Sequence, residues 1–152
     1  MELMKSLRGF FHVQIEEDGE IVGDSGIMEN QVTNDGFLNY LVKLLGAIAG
    51  SSQIGYVALG TGTAPGAADT SLQGEVEVRA AVTAATSSSS KTLRFTATFA
   101  SENSFVTDTQ NIANMGLFAL SAGGVLFAGN TFASSSCAVN QNVQVTYDLV
   151  FQ

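Results

Sequence analysis

The chain has no tryptophan, one cysteine, one histidine and one proline in 152 residues. Each shortage removes a class of chemistry. A lone Cys137 cannot close an intrachain disulfide. One cysteine with one histidine is too few for a zinc site. A Ser-His-Asp centre would have to use His12, which lies between Phe11 and Val13 in a strand-like run, and no Gly-x-Ser-x-Gly elbow accompanies it. Without tryptophan, a glycan hydrolase lacks its best aromatic platform, although paired carboxylates alone are compatible with one. Charge is also sparse, at 13% of residues, against roughly 25% in an ordinary globular domain.

Bases are the scarcest charge: six against fourteen carboxylates, for a net charge of −8. Phosphate is held mainly by lysine and arginine, so nucleic acid is not an expected partner. The longest apolar run, Phe37 to Ala49, is interrupted by Asn39 and Lys43. As a helix it would reach about 20 Å, short of a hydrocarbon layer of about 30 Å. No membrane partner is expected. The opening Met1-Glu-Leu-Met-Lys-Ser-Leu-Arg-Gly lacks the apolar core of a secretory signal.

Sequence motifs for bound ligands also fail on inspection. Gly60-Thr-Gly-Thr-Ala-Pro-Gly is glycine-rich, but a phosphate loop ends in Gly-Lys-Ser/Thr, and no lysine occurs between Lys43 and Lys91. Asp18, Glu20 and Asp24 can offer oxygens to calcium, yet they do not match an EF-hand, and a solvated acidic turn explains them. No cofactor and no metal is expected, and Cys137 reads as a small buried apolar residue.

What is abundant is strand pattern. Phe11, Val13 and Ile15 share a face, Asp18-Gly19 is a type I′ turn signal, and Ile21-Val22 begins a return strand, broken at Asp24-Ser25-Gly26 and resumed over Ile27 to Val32. Strands are expected over Ile54–Leu59, Val76–Ala84, Leu93–Phe99, Ile112–Leu120, Val125–Phe132 and Val143–Phe151, several with strict period-2 alternation. Ser71 to Glu75 reads as a helical turn. One helix is expected at 35–49, started by the side chains of Thr33, Asn34 and Asp35 and stopped by Gly50. Its apolar positions, Phe37, Leu38, Leu41, Leu44, Leu45 and Ile48, exceed one face, which predicts a largely buried helix.

The fold class is therefore mainly β: a β-sandwich or small barrel, jelly-roll or tulip-like, with an N-terminal hairpin and one short α-helix. The organisation is an arm at 1–8 and a single β-rich domain at 9–152, with the hairpin region at 9–32, the helix at 35–49 and the β core at 54–152. The arm either frays, as termini do, or docks on a partner. In the docking reading the interface residues are Leu3, Met4, Leu7, Arg8 and Phe10.

Three segments in order carry a resemblance. They are the opening hairpin and helix, the run Ile54-Gly-Tyr-Val-Ala-Leu-Gly-Thr-Gly-Thr-Ala-Pro-Gly-Ala-Ala-Asp-Thr-Ser-Leu-Gln-Gly-Glu-Val, and Ile112-Ala-Asn-Met-Gly-Leu-Phe. Together they resemble a group of small tailed-phage virion proteins. A similar loop-and-strand module opens some tail-fibre proteins. Where related phage proteins show Glu-x-Gly-Leu-Phe, this chain has Asn114-Met115, so no role for that acid carries over. The resemblance implies a non-enzymatic virion component, assembled in the host cytoplasm. Its partners would be copies of itself, as a trimer, and the major capsid protein or other virion proteins. A capsid decoration or cement protein fits a short, lightly charged chain best. The alternatives are a tail, baseplate or fibre-attachment protein, or a host-surface glycan-binding module.

Overall fold

The computed structural model describes residues 7–46, 48–86 and 91–151. It is built on nine antiparallel strands: β1 (Leu7–Glu17), β2 (Glu20–Val32), β3 (Tyr56–Gly60), β4 (Ala80–Ala81), β5 (Thr83–Thr86), β6 (Thr92–Phe99), β7 (Gln110–Phe118), β8 (Ala128–Cys137) and β9 (Asn142–Phe151). They form one sheet in the order β4-β3-β7-β8-β2-β1-β9-β6-β5. The two edge strands, β4 and β5, are consecutive in the chain. Ala80–Ala81 pair with β3 on one side, and Thr83–Thr86 pair with β6 on the other. A single short stretch thus bridges both edges and curls the sheet into a nearly closed barrel. Closure removes the unpaired backbone that makes open sheet edges adhesive.

Alternation sets the register. In β1, Phe11, Val13 and Ile15 are buried, and so are Phe95, Ala97 and Phe99 in β6 and Val143, Val145, Tyr147 and Leu149 in β9. These three strands lie side by side, with Phe11 opposite Tyr147 and Phe95 opposite Tyr147. A slip of one residue would turn every one of these side chains to water. The hairpin between β1 and β2 turns at Asp18 (φ 51°) and Gly19 (φ 83°), the geometry that Asp-Gly supplies. The strand β2 continues through Asp24-Ser25-Gly26, the expected break, by slipping its register against β1.

Several expected elements differ, among them the strand expected over Val125–Phe132, which is observed as Ala128–Cys137. Ser71–Glu75 forms no helical turn; Leu72 is buried and Gly74 takes a left-handed φ of 68°. The strand expected over Val76–Ala84 is shortened, because Arg79 folds back. It pairs with Glu75, donates to the carbonyls of Leu120 and Gly123, and stacks 3.6 Å from the centre of the Phe118 ring. Glu75 still bridges Gly60 of β3, and the local anchoring of Arg79 accompanies residues 77–79 leaving the sheet.

The helix differs most. A π-helical run, Gly36–Val42, leads into a short α-helix, α1 (Lys43–Leu45), so the helical segment stops short of residue 49. It is not largely buried. Only Gly36 and Tyr40 are buried in the π-helical run, while Phe37, Leu38, Val42 and Leu44 are exposed, Leu38 at 59%. The segment lies across one end of the barrel, and among the described residues no second layer of structure covers its outer side.

Candidate functional site: the open end of the barrel

Strand directions place the two ends of the barrel. The end of β2, the start of β3, the end of β7, the start of β8 and the end of β9 all lie at the helix end, as the pairs Val32–Ala128, Tyr56–Phe118 and Leu7–Phe151 require. The other end is filled. There Phe99 and Phe105 meet with ring centres 5.3 Å apart, and Val106, Ile112, Cys137 and Val143 are buried. Burial pushes the Cys137 thiol up to about 11, so it is an inert core group rather than a nucleophile.

The helix end is not filled. A cavity of about 650 Å³ opens there, walled by the helical segment on one side and by β5, β6 and β9 on the other. Its deep part is formed by Phe95 and Phe127, both buried, and its rim by Phe37, Val42, Leu44 and Phe151, all exposed. Leu41, Ile54, Leu93 and Leu149 complete the apolar wall.

The helix is fastened at this mouth by specific contacts. Thr33 Oγ1 accepts the N–H of Gly36 at 3.0 Å and donates to the carbonyl of Leu126. Gly36 sits so close to β8 that a Cβ there would lie 2.2 Å from the carbonyl oxygen of Phe127. The Tyr40 ring meets Phe127 edge-on at 5.2 Å. Its hydroxyl donates to the Val125 carbonyl at 2.7 Å and accepts the N–H of Ala119 at 3.0 Å. Burial raises the Tyr40 phenol above its ordinary value.

This composition limits the chemistry. Gln53 and the phenol of Tyr40 are the polar groups on the wall, and the phenol is already engaged at both its donor and its acceptor side. No carboxylate, imidazole or thiol among the described residues lines the cavity. Among the described residues, no group of three or more His, Cys, Asp or Glu side chains is placed to hold a metal ion. Sites for small molecules are mostly apolar too, but they place convergent polar groups to fix the ligand. This one offers mainly apolar contact, with Gln53 as its uncommitted polar side chain.

Two bases adjoin the mouth along the backbone. Lys43 follows Val42 in the helix, and the carbonyl of Lys91 accepts the N–H of Phe151 at 2.9 Å. Among the described residues the ion pairs are Arg8–Glu29, Arg79–Glu75 and Arg94–Asp148, and the His12 ring is hydrogen-bonded to Asp24. Arg8, Arg79 and Arg94 are thus committed, and Lys43 and Lys91 have no carboxylate partner among those residues.

Of the interface residues expected from sequence, Leu7, Arg8 and Phe10 are described, and Leu7 pairs with the rim residue Phe151. Leu3 and Met4 lie outside the described residues. Leu7, Arg8 and Phe10 belong to β1, so the strand starts inside the stretch read as an arm. Leu7 packs on the core. Arg8 makes two hydrogen bonds to the Glu29 carboxylate, at 2.8 and 2.6 Å, and lies over the half-buried Phe10 ring at 5.2 Å.

The glycine-threonine loop is structural. Asn114, wholly buried in β7, donates from Nδ2 to the carbonyls of Thr63 and Gln73 at 3.1 and 2.9 Å. Gly60 leaves room for it, since a Cβ there would lie 2.4 Å from Asn114 Oδ1. The loop is therefore clasped against the barrel wall by the residue that departs from the Glu-x-Gly-Leu-Phe pattern. Compared with protein-family models, with curated proteins and with solved structures, the chain matches none.

Proposed function

We propose that the protein is a structural component of a tailed-phage virion, most concretely a capsid decoration protein. It works by packing against copies of itself and neighbouring virion proteins. The observation that carries this reading is the concentration of exposed apolar side chains at one end of the barrel: Phe37, Leu38, Val42, Leu44, Ile48 and Phe151. Monomeric soluble proteins seldom leave a contiguous apolar patch of more than a few hundred Å².

The magnitudes favour association. Covering about 400 Å² of apolar surface on each side contributes on the order of 20 kcal/mol. Lost translational and rotational freedom costs about 4–15 kcal/mol. The balance is favourable without any buried charge. The low charge density of the chain has the same meaning, since a surface that meets protein needs little charge to stay dispersed.

The test is to purify virus particles from the producing host, quantify this chain by mass spectrometry and locate it by gold-labelled antibody. The reading expects a large, fixed copy number over the head. A few copies at the tail would move it to a baseplate or fibre-attachment role. Absence from the particles would contradict it.

A further inference from the structure

The end opposite the mouth is its complement in charge and matches it in apolar character. It is built from the β1–β2 hairpin and the adjoining turn between β8 and β9. The hairpin carries Glu16, Glu17, Asp18 and Glu20, and no lysine or arginine occurs between Arg8 and Lys43. Beside these acids Ile21 and Val22 are exposed, at 48% and 53%, and Val139 is exposed in the neighbouring turn. The two features are held together: Glu17 accepts hydrogen bonds from the side-chain amides of Asn140 and Gln141, both at 3.0 Å. Those amides pull the Glu17 carboxyl below its ordinary value, which keeps the tip anionic. The two are adjacent and both exposed because β2 bulges there: Gly23 pairs with Ile15 and Ile21 with Glu16, which leaves Val22 unpaired and breaks the alternation.

The molecule thus presents an apolar cavity adjoined along the backbone by Lys43 and Lys91 at one end. At the other it presents an acidic knob tipped with Ile21 and Val22. Neither end is self-complementary. Two mouths brought together would oppose lysine to lysine, and two tips would oppose carboxylate to carboxylate. We infer that the occupant of the mouth is the hairpin tip of a second copy of this chain, so that copies stack head to tail. Ile21 and Val22 enter the apolar rim, and the tip carboxylates meet Lys43 and Lys91. This rests on the structural reading above and names the partner of the same site. Such a contact is heterologous, because different patches of the two copies meet. It leaves one free mouth and one free tip on every assembly until a ring closes, and otherwise propagates as a filament. The opposite charges steer the encounter and fix its polarity, while apolar burial supplies the affinity.

The polarity gives a test that a symmetric contact cannot imitate. The mouth variant V42D places a carboxylate where the acidic tip must dock. The tip variant I21D/V22D removes the apolar knob. All three positions are exposed, so the barrel itself is kept, and circular dichroism with thermal melting verifies this. Native mass spectrometry then reads assembly at several concentrations. The wild-type chain is expected to form a concentration-dependent series of oligomers that shortens at high salt. Each variant alone is expected to be monomeric. An equimolar mixture is expected to give a dimer with one copy of each variant and nothing larger, because the sound tip of V42D fills the sound mouth of I21D/V22D. A dimer formed by either variant alone, or a mixture that stays monomeric, would overturn the head-to-tail contact. Either result leaves the virion reading to be decided by the particle assay, which does not depend on these variants.

Discussion

The hydroxyl of Tyr40 and the carbonyl of Val125 are joined by a hydrogen bond of 2.7 Å, and the same oxygen accepts the N–H of Ala119. One side chain thereby satisfies two backbone groups at the β7–β8 turn and ties the helical segment to the barrel it covers. Tyr40→Phe keeps the ring contact with Phe127 and strands both groups. Leaving a buried polar group unpaired costs about 1–3 kcal/mol. We expect a loss of stability of that size in urea unfolding, with faster exchange of the Ala119 amide. Unchanged stability would show that the phenol does not fasten the helix.

Asn114 holds the glycine-threonine loop in the same way from inside β7. Asn114→Ala removes both bonds to the carbonyls of Thr63 and Gln73 and leaves a small void. We expect destabilisation of about 2–4 kcal/mol, from two unmet carbonyls and lost packing. Proteolysis should become faster within residues 60–74. If the variant melts like the parent and the loop stays resistant, the loop is held by other contacts.

Cys137 should be silent toward thiol reagents in the native protein. Its pKa is raised by burial from 9.0 to about 11, and the thiolate is the reactive form. We expect no labelling at pH 8 under native conditions and full labelling in guanidinium. The sign of the linkage is also fixed. The unfolded thiol ionises first, so its contribution to stability is complete below pH 9 and is lost as the pH climbs toward 11. Native labelling at the rate of a free cysteine would contradict the filled far end.

Asp24 behaves in the opposite sense. Its carboxylate accepts the N–H of Gly26 at 2.7 Å, then the amide of Gln14 and the ring of His12, and these hold it at about 2 rather than 3.8. A depressed carboxylate contributes stability above its unfolded value and loses it as the pH falls through its folded one. The Asp24 contribution should therefore be intact at pH 5 and fade between about pH 3.8 and 2. An NMR titration of the Asp24 side chain reads this directly. Asp24→Asn should flatten acid unfolding in that window, and equal acid profiles for the two proteins would exclude the assignment.

The strands were legible because their burial is settled by neighbours that the same alternation supplies. Phe11, Val13 and Ile15 face Val143, Val145 and Tyr147, and each row predicts the other. The chain bridge at residues 80–86 was not legible, because Ala80, Ala81 and Thr83–Thr86 are small and mostly exposed, and their pairing is decided by which edges lie nearby. The helix misled for a related reason. Counting apolar positions from Phe37 to Ile48 measures how much surface wants cover, and whether cover exists depends on the rest of the chain. Among the described residues none covers Phe37, Leu38, Val42 and Leu44, and that surplus forms the rim of the apolar mouth. The cavity has no sequence signal of its own, since it is the space that Phe95 and Phe127 do not fill.

The central claim is that this mouth is a contact surface between protein molecules. Sedimentation equilibrium of the purified full-length chain, from low micromolar to near-millimolar concentration, tests it most directly when V42D is measured beside the wild type. The wild-type mass is expected to rise with concentration and the V42D mass to stay at the monomer. A wild-type protein that remains a monomer across the whole range, with its apolar end open to water, would contradict it.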